Sequence, residues 1–182
     1  MKTKKINAEL ERRKKIAERS FSEVFRSMQL LNYTVLYYNF DFDKEMVKKF
    51  NAHITDYNNE CLDDSEAFFT EEARILKEYG FSCERSAKEF PMRAKMKMCG
   101  KRPKSMKDWD IVLQNATEAI ESCLLLFLHE CVTEWNFTRS DVMLYWQNMK
   151  ENAKCYADGM TDEFVVQYFK DYLDLEITEK EN

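Results

Sequence analysis

"NFDFDKEMVKKFNAHI", residues 39–54, and "WNFTRSDVMLYWQNM", residues 135–149, carry one local code twice. Phe42, Asp43 and Val47 in the first are matched by Phe137, Thr138 and Val142 in the second, 95 positions further on. In each, an apolar residue precedes a capping Asp or Thr, and a second apolar residue follows four positions into the helix. That spacing is a hydrophobic staple, which fixes the angle at which the chain enters a helix. Phe50 and Ile54 then continue the first helix face, as Tyr145 and Met149 continue the second.

Each copy follows a long apolar helix. Upstream of the first, Phe21, Val24, Met28, Leu31, Val35 and Tyr38 alternate three and four apart, the seam of a helix predicted over 6–38. Upstream of the second, Trp109, Val112, Ala116, Ile120, Leu124, Phe127, Cys131 and Trp135 fall on one helical face, and "CLLLFL" at 123–128 adds apolar residues on the others. A helix apolar nearly all round belongs at the centre of a bundle. Downstream, Thr70 before "EEARILKEY" and Thr161 before "DEFVVQYF" are expected to cap short helices, the first closed by Gly80. A further helix over 82–98 is predicted to be disturbed at Pro91.

The sequence therefore predicts an all-α, multi-helix bundle of about seven helices. It is read as two helical-hairpin lobes, 1–98 and 108–182, joined by a basic linker at 99–107 and sharing a core around 109–135. Internal duplication and independent use of common caps both account for the repeat. Three glycines and two prolines in 182 residues are too few to punctuate a many-stranded sheet.

The net charge of −5 gives no overall attraction to polyanions, but its distribution is uneven. Residues 1–27 carry nine bases and four acids, residues 90–107 seven bases and no acid, and residues 108–182 five bases and sixteen acids. Six cysteines without a CxxC pair read as free thiols in a reducing cytoplasm. Cys99 lies among Lys97, Lys101 and Arg102, a setting that would favour a thiolate. No leader-like segment opens the chain, and the longest uninterrupted apolar run is far below the ~18 residues of a spanning helix, so a cytoplasmic protein is expected.

Motifs for chemistry fail on inspection. The acidic turn at Asp41 lacks the Gly and Glu of a calcium loop, having Met46 and Ala52 instead. "HECVT" at 129–133 lacks the second histidine of a zinc helix, and no Gly-rich phosphate loop exists. His129 is expected to be a satisfied polar group in a buried helix. His53 lacks an orienting carboxylate nearby in sequence. No catalytic residue, metal ligand or cofactor is assigned.

"VLYYNFDFDKEMVKKFNAHITDYNNE", followed by "TEEARILKEYGF", resembles small uncharacterised helical proteins of prophages and mobile elements of Gram-positive anaerobes. The resemblance covers about a quarter of the chain and departs at Asp41 and Asp43, where glycines are expected. It implies a mobile-element origin and no activity.

Two binding roles follow. The first is a non-enzymatic module that binds and modulates or inhibits a host protein, with Tyr37, Tyr38, Tyr145, Trp146, Tyr168 and Tyr172 as interface residues. Its acidic half would resemble nucleic acid to a host defence enzyme, by analogy with nuclease inhibitors. The alternative is weakly sequence-specific nucleic-acid binding through Arg93, Lys95, Lys97, Lys101, Arg102, Lys104 and Lys107. A homodimer would follow if the extra apolar face of 109–135 were left uncovered.

Overall fold

The computed structural model describes residues 2–60, 65–100, 103, 105–159 and 162–173, without the side chains of 2–6, 58–60, 65–68, 162, 168, 169 and 171–173. Eight helices occur among them: α1 (Lys2–Asn39), α2 (Lys44–Glu60), α3 (Ser65–Glu78), α4 (Cys83–Glu89), α5 (Met92–Met98), α6 (Met106–Thr133), α7 (Arg139–Asp158) and α8 (Asp162–Leu173). The bundle is all-α, as expected.

The helix starts largely follow their caps. The Met46 amide donates to Asp43 Oδ1 at 2.9 Å, and Phe42 and Val47 are both buried. Thr138 and Asp141 form a reciprocal capping box, the device that satisfies two otherwise orphaned amides. Ser82 and Ser105 cap α4 and α6 more simply, each hydroxyl accepting from one backbone amide, of Arg85 and Asp108 respectively. The predicted 82–98 helix is two helices, because Pro91 lacks the amide needed to continue the ladder. Thr70 is not a cap. Phe69, Ala73 and Leu76 share a core-facing side, so α3 extends back to Ser65. Thr161 lies outside the described residues; the helix that follows it begins at Asp162.

α1 and α6 lie side by side and run parallel. Arg12 meets Asp108 near their starts, Phe25 meets Phe127 further along both, and Phe42 meets Trp135 where both helices end. The two turns that follow have the same backbone. Asp41 and Asn136 are left-handed at φ 55° and 56°, and the next amides, Phe42 and Phe137, return to Leu36 O at 3.2 Å and Cys131 O at 3.0 Å. Every member of this motif keeps the 95-residue offset.

The same offset relates the contacts across the pair. Phe40 stacks on Phe137 with ring centroids 4.6 Å apart, and their counterparts, Trp135 and Phe42, meet at the same distance. Tyr145 donates to Asn32 Oδ1 at 2.6 Å, while their counterparts, Phe50 and Phe127, form an apolar ring pair at 6.1 Å. Such exchange of partners defines an approximate two-fold axis between α1 and α6. The second helices cross over: α2 packs chiefly on α6, and α7 on α1. Both hairpins thus contribute to one buried cluster.

α6 carries the centre of that cluster. By length and apolarity alone it would pass for a spanning helix, but residues Cys123 to Val132 are all buried within the bundle. The extra apolar face is covered by the chain itself, which removes the stated basis for dimerisation through α6. α4 and α5 fill the space between the two units, against α6 and α7 respectively.

The Tyr145–Asn32 pair makes this arrangement testable. Tyr145→Phe leaves buried Asn32 without its donor and is expected to cost about 1–3 kcal/mol. Adding Asn32→Leu, which imitates the apolar contact at Phe50, should recover most of that loss in urea titration. A single variant as stable as the native chain would contradict the assignment.

Candidate interaction surface

The structure separates the expected interface aromatics. Tyr145 and Trp146 are buried, because they supply the core contacts of α7. Tyr38 is exposed and meets Tyr37 edge-on at 5.1 Å. The side chains of Tyr168 and Tyr172 lie outside the described residues.

It separates the basic residues as well. Lys95 is only 3% exposed, donates to Lys88 O at 3.3 Å and to Thr117 Oγ1 at 3.2 Å, and its ammonium is pushed below its usual pKa by burial. Lys97 donates to the Tyr156 carbonyl and lies over the Tyr156 ring. Neither is presented to a polyanion, because the two lie on opposite sides of α5, one facing the core and the other α7. Arg93 is exposed, 4.0 Å from Asp158, and Lys107 is exposed at the start of α6. Lys101, Arg102 and Lys104 lie outside the described residues. Cys99 is buried, donates to Lys95 O at 3.0 Å, and has its pKa pushed up to about 11 by burial. The thiolate expected from its basic neighbours is therefore disfavoured.

His53 has a partner that the sequence hides. Its Nδ1 lies 2.7 Å from Oε1 of Glu130, 77 residues away and fully buried, and the same oxygen accepts from Trp135 Nε1 at 2.9 Å. Glu130 Oε2 has no hydrogen-bond partner. Next to Glu130 on α6, His129 pairs with Glu72 from α3 and meets Tyr57 edge-on. Two histidine–carboxylate pairs thus tie α2 and α3 to the central helix. His53 also lines a cleft of about 250 Å³ with Asp56, Tyr57 and Glu134. Among the described residues no nucleophile shares this cleft, and no three ligand-type side chains converge to hold a metal. The arrangement orients an imidazole and joins three helices; it offers no complete catalytic set.

A second surface lies on the outer face of α7. Arg139, Ser140, Met143, Leu144, Trp146, Gln147 and Lys150 line an open groove of about 580 Å³. Trp146 forms its floor, backed by Phe81 and Phe90. Lys150 Nζ lies 5.2 Å from the Trp146 ring centre. Arg139 is seated against Gly80, where an added Cβ would come within 2.7 Å of the guanidinium. Gly80 is also left-handed, at φ 76°, so the residue type serves both the turn and this close approach. Met143 and Leu144 are 48% and 45% exposed.

The pseudo-two-fold supplies an internal comparison. Lys44, Lys48, Lys49, Asn51, Ala52 and Thr55 of α2 occupy the positions of Arg139, Met143, Leu144, Trp146, Gln147 and Lys150. Lys48, Lys49 and Asn51 are exposed, and Asn51 accepts from Tyr33. The same place in the fold therefore accommodates a polar surface. Met143 and Leu144, one and two residues beyond Val142, fall off the Val142–Tyr145–Met149 face, and that departure from the core spacing is the signal the sequence carries for them. No family model, curated protein or solved structure matches the chain.

Burial raises the Glu130 pKa above its ordinary 4.5, although the bonds from His53 and Trp135 act in the opposite direction. The stabilising contribution of a raised carboxyl is complete below pH 4.5 and is lost as pH rises through its folded-state value. Glu130→Gln cannot ionise, so its melting temperature relative to the native chain should rise as pH is increased from 4.5. A difference that falls with rising pH would overturn this account of Glu130.

Proposed function

We propose that this chain is a non-enzymatic helical interaction module of phage or mobile-element origin, which binds and modulates a host protein through the outer face of α7. The observation that carries the reading is the exposure of Met143 and Leu144 above Trp146, where the related face of α2 has Lys48, Lys49 and Asn51. Adjacent exposed apolar residues with polar surroundings are characteristic of a protein contact, and the related helix argues that the fold does not require them. The mobile-element origin rests on the resemblance of residues 35–60 and 70–81. Inhibition of a nucleic-acid-handling enzyme by acidic mimicry has less support here, since Arg139 and Lys150 give this groove a basic rim.

A photo-crosslinking amino acid placed at Leu144 should capture a defined host protein from lysate, whereas the same group at Lys48 should not. Equal labelling from both positions would remove the basis for choosing α7.

One observation favours nucleic-acid binding as a second reading. Arg12 holds Asp108 at 2.8 Å, and Gly100 lies against Glu23, so the basic segment begins and ends beside α1. Lys15 and Arg19 are exposed there and follow Arg12 at helical spacings that share one face. Lys107, next to Asp108, thus adjoins a basic face of α1 distant from it in sequence. Anisotropy with labelled single- and double-stranded DNA and RNA at ~50 mM salt should detect binding that weakens steeply with salt. Lys15→Glu/Arg19→Glu/Lys107→Glu should abolish it. Absence of binding by all four probes would sink this reading.

A further inference from the structure

We propose that the α7 groove receives an acidic amphipathic helix of about three turns, an inference that rests on the protein-interaction reading and identifies the chemistry of the partner. Arg139, Met143, Trp146 and Lys150 follow one another at i, i+4, i+7 and i+11, and so form a single stripe along α7. From Arg139 to Lys150 the stripe runs ~16 Å, about three helical turns. Its middle is apolar and its ends are cationic.

The cations are available to a partner. Among the described residues neither Arg139 nor Lys150 forms an ion pair: Arg139 is seated on Gly80, and Lys150 lies over Trp146. Some surface bases of the bundle are neutralised locally instead, as Arg74 is by Glu71 and Glu78, and Lys154 by Glu151. An occupant with carboxylates near its two ends and apolar side chains between them would complement the entire stripe. A helix suits this geometry because i, i+4, i+7 and i+11 on the partner describe a matching line of side chains. Seating such a helix would cover Met143 and Leu144 and bring its carboxylates against Arg139 and Lys150.

Labelled helical peptides of about sixteen residues, with Leu and Phe at the two middle positions and Glu, Gln or Lys at the two ends, provide the probe. In fluorescence polarisation with the full chain, the Glu peptide should bind at least tenfold more tightly than the Lys peptide. Arg139→Glu/Lys150→Glu should reverse that order. Met143→Glu/Leu144→Glu should abolish binding of the Glu peptide while circular dichroism remains unchanged; a folding defect would be bypassed by Leu144→Ser, which should weaken it several-fold.

Equal binding of the Glu and Lys peptides would overturn the acidic partner. If the Met143/Leu144 variant then lost both, the apolar docking surface itself would stand. No binding by any peptide, or an acidic preference unaffected by the Arg139/Lys150 variant, would also overturn the proposal. A concentration-dependent dimer in sedimentation velocity that disappears with Leu144→Glu would assign the groove to a second copy of the chain instead.

Discussion

The parallel packing of α1 against α6 is the constraint on which the rest of the molecule depends. Antiparallel helices can be joined by a few residues, whereas parallel helices require the chain to return along their full length before the second begins. α2, α3, α4 and α5 make that return. By Asp108 the chain is back beside the start of α1, where Arg12 meets it as α6 begins. At the opposite end two aromatic turns close the pair: Phe40 on Phe137, and Phe42 on Trp135. Each turn supplies one ring to each contact, so moving either helix along its axis would disrupt both.

Approximate two-fold symmetry of this kind relaxes the demands on individual residues. At Tyr145 and Asn32 the relation is satisfied by a buried hydrogen bond, and at Phe50 and Phe127 by an apolar pair. Both choices fill comparable space while their chemistry differs. Outside the core the symmetry separates what the architecture needs from what it merely permits. On α2 the outer stripe is largely polar; on α7 it has Met143 and Leu144 above a tryptophan floor. Exposed apolar area contributes little to the isolated fold, so its presence on one helix and absence from its counterpart gives that face its functional interest.

The buried polar groups have a different role. His53 and His129 receive carboxylates from residues distant in sequence, and both pairs attach peripheral helices to α6. Removing polar groups from water is costly unless each finds a partner, so these pairs disfavour neighbouring registers of α2 and α3 in which partners would be lost. That discrimination explains histidines on partly apolar faces without assigning them a reaction.

By itself the sequence determined the helical class, the staples at Phe42 and Phe137, the cap at Thr138 and the break at Pro91. These are local effects: caps satisfy nearby amides, proline lacks one, and apolar spacing follows the helical period. The candidate sites were much less legible. Lys95, Lys97 and Cys99 looked like a basic cluster with a reactive thiol, yet α5 turns two lysines towards internal acceptors and buries the sulfur. Trp146 looked like an interface aromatic and became the floor beneath Met143 and Leu144. His53 and Glu130 carried no mutual signal across 77 residues. Only the tertiary structure decided these points, because periodicity shows which residues share a face of their own helix, while the packing of other helices decides which faces remain open to solvent.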